Sequence, residues 1–287
     1  MSSFSSPNSH PNQTEPFPLA ALSELSPVKQ PLFSHITRAH SVVETLQQLQ
    51  NINVNCVERP FQKSELLDSA LSKLEAPLRA QVRQRNWGLE HGEPRGFFSC
   101  TFHRPDSEPV LHGSFMREVS LSRAEESELK KALTELVGPL RERYPHQSHQ
   151  VYLGLLMSIK ESSQTGNPAH TDYDSVERAM WYPNTNDQAL HIPDHYHPVF
   201  DRSALFQSKA PEADFPELPV YRGQGGNFFY LKCEHTEASQ PLVHWSPPGR
   251  ERGALYFRSR VLSEKFQKVL HSGNLIADYP ESAAKKG

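Results

Sequence analysis

Near residue 150 the spacing of apolar residues changes, and that change limits the folds open to this chain. Before it, apolar side chains recur at helical intervals. Ser41–Gln50 carries Val42, Val43, Leu46 and Leu49 on one face, and Ser64–Arg85 places Leu66, Leu67, Ala70, Leu71, Leu74 and Leu78 three or four residues apart. Ser122–Arg143 opens with Ser122-x-x-Glu125, a capping box, and continues with Leu129, Leu133, Leu136, Val137 and Leu140. Pro77 predicts a break in the second stretch, and Pro139 an early end or kink in the third. Between these two helices, Gly96–Arg104 and Ser114–Leu121 read as strands.

From Gln150 onward the pattern is that of strands. Val151–Ile159 is mainly apolar and leads into a polar turn containing Gly166, Asn167 and Pro168. A long Pro-rich stretch occupies Tyr182–Pro219, and short strand patterns follow at Asn227–Lys232, Pro241–Trp245 and Gly253–Leu262. A short helix is expected over Ser263–His271. Helices first and strands later predict an α+β architecture, with an N-terminal helical layer on a largely antiparallel sheet. Residues 1–30 are rich in Ser, Pro and Asn, so a disordered or loosely docked tail is expected there. The rest, 31–287, is expected to be one domain. It comprises helix-rich support over 31–149, a strand core over 150–262 with an insertion at 182–219, and a C-terminal helix and tail over 263–287.

Charge and composition remove several function classes. The formal net charge is -3 and no long block of Lys or Arg occurs, so a nucleic-acid partner is not expected. No apolar run approaches the ~18 residues of a membrane span, and the first residues lack a secretory pattern. A cytoplasmic protein is the expectation. Cys56, Cys100 and Cys233 are scattered and form no C-x-x-C pair, which points to buried, reduced thiols rather than a zinc knuckle. Neither a P-loop or dinucleotide glycine pattern nor G-x-S-x-G is present.

Metal chemistry is a further class to weigh. An oxygen-activating Fe(II) site needs two histidines and one carboxylate on one side of the metal, leaving positions open for co-substrate and O2. Alternate residues of an extended segment face the same way, so H-x-D or H-x-E delivers two ligands together. With 15 His and 33 Asp+Glu in 287 residues, roughly 1.7 such triplets arise by chance. Three occur: His91-Gly-Glu93, His170-Thr-Asp172 and His235-Thr-Glu237. The triplet alone therefore decides nothing, and context separates the three. His91 lies in a Gly- and Pro-rich loop and His235 in a polar segment. Only His170 follows an apolar strand and a turn, the rigid support that a preorganised site requires.

Four features in order, over about residues 150–262, make the chain resemble the Fe(II)/2-oxoglutarate-dependent oxygenases. They are the strand–turn–HTD segment, Gly225-Gly226 before the strand NFFYLK, His244 in LVHWSPPG, and the strand GALYFRSR that ends in arginines. The resemblance implies a double-stranded β-helix (jelly-roll) core and the co-substrates 2-oxoglutarate and O2. It implies iron bound by His170, Asp172 and His244. It also implies an arginine for the distal carboxylate of 2-oxoglutarate: Arg258, with Arg252 and Arg260 as competitors of the same strand parity. Tyr152 and Lys160 are secondary candidates for co-substrate contact. Asp172 stands where halogenating members carry a small residue, so hydroxylation, desaturation or cyclisation of a small organic substrate is the implied outcome.

Plainer roles stand beside these. Asp172 can bond locally in a surface turn, His244 can be a core histidine beside Trp245, and Arg258 can be a solvated strand-end charge. The HIPDHYH run (His191, His195, His197) reads as a loop rather than a second metal site, and Met180-Trp181-Tyr182 are candidates to line a pocket. A non-catalytic cupin-like binding module, or a metal-dependent hydrolase or isomerase in such a barrel, would use the same fold. An arginine pointing into the site argues for the oxygenase over both.

Overall fold

The computed structural model describes residues 35–84, 91–92, 99–102, 109–112, 119–147, 149–158, 172, 175–184, 188–193, 220–233, 242–245 and 253–263. In chain order the elements are β1 (His35–Arg38), α1 (Val42–Gln50), β2 (Val54–Arg59), α2 (Glu65–Gln84), β3 (His91–Gly92), β4 (Ser99–Phe102) and β5 (Val110–His112). Then come α3 (Arg123–Arg143), β6 (His149–Ser158), β7 (Ser175–Trp181), β8 (Gln188–Pro193), β9 (Val220–Gln224), β10 (Phe228–Lys232) and β11 (Gly253–Leu262). The 1–30 tail and the C-terminal helix expected after Ser263 lie outside the described residues.

Each helix starts where the sequence supplies a cap. The hydroxyls of Ser41 and Ser64 accept from the N–H groups of Glu44 and Leu67, at 3.1 and 3.2 Å. At α3 the predicted capping box is closed: Ser122 Oγ accepts from Glu125 N–H at 3.2 Å, and Ser122 N–H donates to the Glu125 carboxylate at 2.7 Å. Neither proline ends its helix. α2 runs through Pro77 to Gln84 and α3 through Pro139 to Arg143, against the expected breaks. An interior proline forfeits a backbone bond and costs about 3 kcal/mol. Tertiary packing outweighs that cost in α3, where Leu136, Val137 and Leu140 around Pro139 are fully buried. Val43 and Leu66, expected on buried faces, are exposed.

The strands form one large and one small sheet. The large sheet runs β1-β2-β10-β7-β11-β6-β4-β5, with β3 also paired to β6. All its pairs are antiparallel except β1–β2. The small sheet pairs β8 with β9, and His191 of β8 bridges to Trp245. Chain order therefore alternates between sheets: β6 and β7 in the large one, β8 and β9 in the small, β10 in the large, His244–Trp245 on the small, β11 in the large.

Several of these strands depart from the sequence expectation. β1 and β2 are interleaved with the helices rather than following them. β8 lies inside the 182–219 stretch, so His191 sits in a strand rather than a loop. His91 likewise stands on the short strand β3. A strand not expected, β5, stands at 110–112; of the strand expected over 114–121, residues 119–121 are not strand and 114–118 lie outside the described residues.

The large sheet is covered by helices on one face and by the small sheet on the other. Val151, Leu153, Ala179, Trp181, Phe228, Tyr230, Leu255 and Phe257 pack with Leu67, Leu129, Leu133 and Leu136 of the helices in one apolar cluster. Their immediate neighbours Met180, Phe229, Leu231 and Tyr256 join Leu190, Ile192 and Leu242 in a second cluster between the sheets. This is strand alternation with both faces buried. The Gly225-Gly226 turn feeds β10 into that arrangement. Gly226 has φ 90, a conformation L side chains resist, and its N–H and C=O bond Tyr182 O at 2.6 Å and Trp181 Nε1 at 3.2 Å. Glu58, fully buried on β2, holds the same corner by accepting from Asn227 Nδ2 (2.8 Å), Gln224 N–H (3.2 Å) and the Tyr221 hydroxyl. Cys56 and Cys233 are buried free thiols, as expected; burial raises the Cys56 thiol well above its ordinary value. Among the described residues no helix is long and apolar enough to cross a membrane.

Candidate metal centre

Two residues that are 72 positions apart in sequence meet in the space between the sheets. Asp172 precedes β7, and His244 precedes Trp245 on the small sheet. Asp172 Oδ2 stands 3.4 Å from His244 Nε2, and both side chains are buried. His244 points inward for a reason visible in the bridge. Trp245 pairs with His191, the rings 6.1 Å apart and edge-on, while Leu190 and Ile192 on either side of His191 belong to the inter-sheet cluster. His191 and Trp245 therefore occupy the outer face of the small sheet, and His244, one residue away, takes the inner one. Its Nδ1–H donates to Leu242 O at 3.3 Å. In the neutral ring that bond leaves the Nε2 lone pair facing Asp172, the tautomer a metal ligand needs.

Asp172 is held from its other side by a residue the sequence reading missed. Arg178 Nη1 lies 2.8 Å from Asp172 Oδ1, and its Nε–H donates to Ser175 Oγ at 3.1 Å. Ser175 N–H in turn donates to Asp172 O at 3.4 Å. Arg178 is buried on β7 beside Ala179 and Met180. A guanidinium in such a run is a signal in itself, because a buried charge requires a partner. Nothing local in the sequence identifies that partner.

The arginines of β11 share this face. Register sets Arg258 opposite Tyr152 and Met180, and Arg260 opposite Arg178. Directly paired residues project to the same side, so Arg258, Arg260, Tyr152 and Arg178 all project from the inter-sheet face. Arg258 is half-buried with its guanidinium carbon 6.0 Å from the Tyr256 ring centroid, and among the described residues it pairs with no carboxylate. The Tyr152 hydroxyl donates to Gln150 Oε1. Trp181, in contrast, faces the helices and stacks on Phe257 at 5.1 Å, so it lines no pocket between the sheets. His170, Lys160, Arg252, His195, His197, Glu93, His235 and Glu237 lie outside the described residues. Among the described residues no three His, Cys, Asp or Glu side chains form one donor set; Asp172 and His244 form a pair.

That pair fits a metal by its donor chemistry. A carboxylate oxygen and an imidazole nitrogen, each about 2.1 Å from one ion, stand roughly 3.0–3.4 Å apart when they are neighbours in its coordination shell. The observed 3.4 Å falls at that spacing. Both donors are buried, and Arg178 occupies the oxygen turned away from His244.

No family model and no curated protein matches the sequence. Among solved structures, dioxygenase for auxin oxidation 1 from Arabidopsis thaliana, in its 2-oxoglutarate complex, is similar over 80% of this chain and 92% of that one, with 10% identity and TM-score 0.45. The rice dioxygenase for auxin oxidation matches over 81% and 84%, with 10% identity and TM-score 0.42. A prolyl hydroxylase from Trichoplax adhaerens, bound to a hypoxia inducible factor peptide fragment, matches over 79% and 91%, with 11% identity and TM-score 0.44.

Proposed function

We propose that this chain is an Fe(II)/2-oxoglutarate-dependent oxygenase acting on a small organic substrate, with His170, Asp172 and His244 as the metal ligands. The observation that carries the reading is the convergence of Asp172 Oδ2 and His244 Nε2 at 3.4 Å in a buried, inter-sheet position. The alternation of strands between two sheets, with β10-β7-β11-β6 adjacent in the large one and Trp245-β8-β9 in the small one, supports a double-stranded β-helix core. When bound, iron with 2-oxoglutarate supplies the oxidative decarboxylation that turns O2 into an oxidant of a C–H bond and releases succinate and CO2.

The chain's own residues orient and exclude. Asp172 and His244 present one oxygen and one nitrogen, and Arg178 and the Leu242 carbonyl hold each in place. Arg258 faces the same space and pairs with no carboxylate among the described residues, and its planar fork suits the distal carboxylate of 2-oxoglutarate. Arg260 shares its parity on β11, Arg252 shares its parity in sequence, and both remain the competitors. Tyr152, opposite Arg258, is a further contact for that carboxylate. Met180, Tyr256 and Leu242 line the same space with apolar surface and keep water from it.

The test is an anaerobic titration of Fe(II) and 2-oxoglutarate, watching for the metal-to-ligand charge-transfer band. Wild type is expected to show the band and, in air, to form succinate slowly without added substrate. His170→Ala and His244→Ala are each expected to abolish it. Wild type without band or succinate defeats the reading. Arg258→Gln with unchanged 2-oxoglutarate affinity transfers the carboxylate to Arg260 or Arg252 and leaves the triad intact.

One observation favours a second reading. Arg178, Asp172 and His244 also make a buried ionic network, which a non-catalytic cupin-like binding module would hold without metal. A metal-dependent hydrolase or isomerase would bind the metal but not respond to 2-oxoglutarate. The same titration separates all three.

A further inference from the structure

The assignment of Asp172 and His244 as metal ligands leaves Arg178 unexplained, and the inference here rests on that assignment. We propose that Arg178 is a positioning residue for the metal. Together with Ser175 it locks one carboxylate oxygen of Asp172, so that the other is presented beside His244 Nε2 before any metal arrives.

Four contacts carry this. Arg178 Nη1 lies 2.8 Å from Asp172 Oδ1, Arg178 Nε–H donates to Ser175 Oγ at 3.1 Å, Ser175 N–H donates to Asp172 O at 3.4 Å, and Asp172 Oδ2 lies 3.4 Å from His244 Nε2. The first three close a ring through residues 172, 175 and 178, the fourth joins it to His244, and the side chains of all four residues are buried. A carboxylate turns easily about its last side-chain bond, so two equivalent oxygens compete for the inward position unless one is engaged. The guanidinium engages Oδ1 while its orientation is set by Ser175.

The backbone is shaped for this ring. Ser175 and Arg178 are an odd number of residues apart and would ordinarily project to opposite faces of β7. A register shift between Val261 and Leu262 pairs Leu262 with Ser175 rather than with Val176. Such a bulge re-aims a side chain, and here it brings the Ser175 hydroxyl to Arg178. A lysine would supply the charge without the second donor that reaches Ser175.

The experiment uses the full chain with Co(II) alone as probe, read by titration and by the d–d absorption spectrum. Thermal unfolding of each metal-free chain runs alongside. Arg178→Gln is expected to weaken Co(II) binding about 10–100-fold, the usual effect of removing a residue that orients a ligand, and to change the d–d band. Arg178→Lys and Ser175→Ala are expected to weaken binding less, at little change in metal-free unfolding temperature. These two decide the matter if the glutamine variant does not fold. Wild-type affinity and spectrum in Arg178→Lys and Ser175→Ala overturn the proposal while leaving the metal site standing. So does a weakening that vanishes once the folded fraction is corrected for. A wild-type chain that binds no Co(II) overturns the metal centre and the positioning role together.

Discussion

The two faces of the large sheet share the same strands but not the same chemistry. On the helical face, the described buried charges have opposite-charge partners, Arg143 on Glu177 and Arg59 on Glu135. Glu177 takes Arg143 Nε and Nη2 at 3.0 and 2.7 Å, and Arg59 donates to Glu135 O and Tyr230 Oη at 2.9 and 3.3 Å; between them the surface is apolar. On the inter-sheet face, one residue along each strand, stand Arg178, Arg258, Arg260 and Tyr152, with Arg178 on Asp172 of the Asp172–His244 pair. Alternation lets neighbouring residues answer to different demands. Position i faces the helices, and position i+1 faces the space between the sheets. The difference predicts that substitutions one residue apart separate folding from metal binding.

Trp181→Ala tests this most severely. Its ring is fully buried against Phe257, Phe228 and Phe61, at centroid distances of 5.1, 5.5 and 5.4 Å. Removing it is expected to destabilise the protein by about 3–5 kcal/mol, measured by urea unfolding, with Co(II) affinity of the folded fraction unchanged. Weaker Co(II) binding without the stability loss would mean that the two faces are not independent.

Glu177→Gln sharpens the same point beside Arg178. Truncating one partner of a buried ion pair costs about 3–5 kcal/mol. The lower end is expected here, because Arg143 keeps 23% of its side-chain surface exposed. Gly223→Ala moves the test to the small sheet. A Cβ there would stand 2.6 Å from Phe229 Cε1 and 3.2 Å from Leu190 O, and Phe229 has no room to yield between the sheets. A loss of about 1–3 kcal/mol is expected. Unlike Trp181→Ala, it should also weaken Co(II) binding, since it displaces the sheet that carries His244. Metal affinity at the wild-type level in Gly223→Ala would confine the site to the large sheet.

How much of this was legible in the sequence follows the range of the interactions. Helix starts were readable because Ser41, Ser64 and Ser122 act within three residues. Helix continuation past Pro77 and Pro139 was not readable; at Pro139 a local penalty is outweighed by distant packing. β2 escaped because all six residues of VNCVER are buried, so no alternation marks it. β7 escaped because SVERAMW carries charges whose partners, Arg143 and Asp172, lie elsewhere in the chain. Asp172 and His244 were named together on an ordered resemblance, not on the H-x-D triplet, which is no rarer than chance. Arg178 could not be assigned, because its meaning depends on a bulge and on register.

The smallest expected effect lies farthest from the site, in the helical layer, and isolates its electrostatics. Lys73 first, then Ser69 and the Ser122 backbone, hold the Glu125 carboxyl down to about 2. A lowered carboxyl gives stability that is present above its unfolded value, about 4.3, and is lost as pH falls through the folded one. Metal-free protein should therefore lose urea resistance between about pH 4.5 and 2. Glu125→Gln keeps the capping-box geometry, which accepts either residue, but removes the charge that Lys73 pairs with. Its acid limb should be flatter over that window while its stability at neutral pH falls slightly. Burial lowers the His149 imidazole, whose Nε2 lies 3.1 Å from Tyr144 O. That contribution fades earlier, as pH drops below about 6.5, and Glu125→Gln should leave it untouched. An acid limb in Glu125→Gln that superimposes on wild type would show that Lys73 and Ser69 act through contact alone.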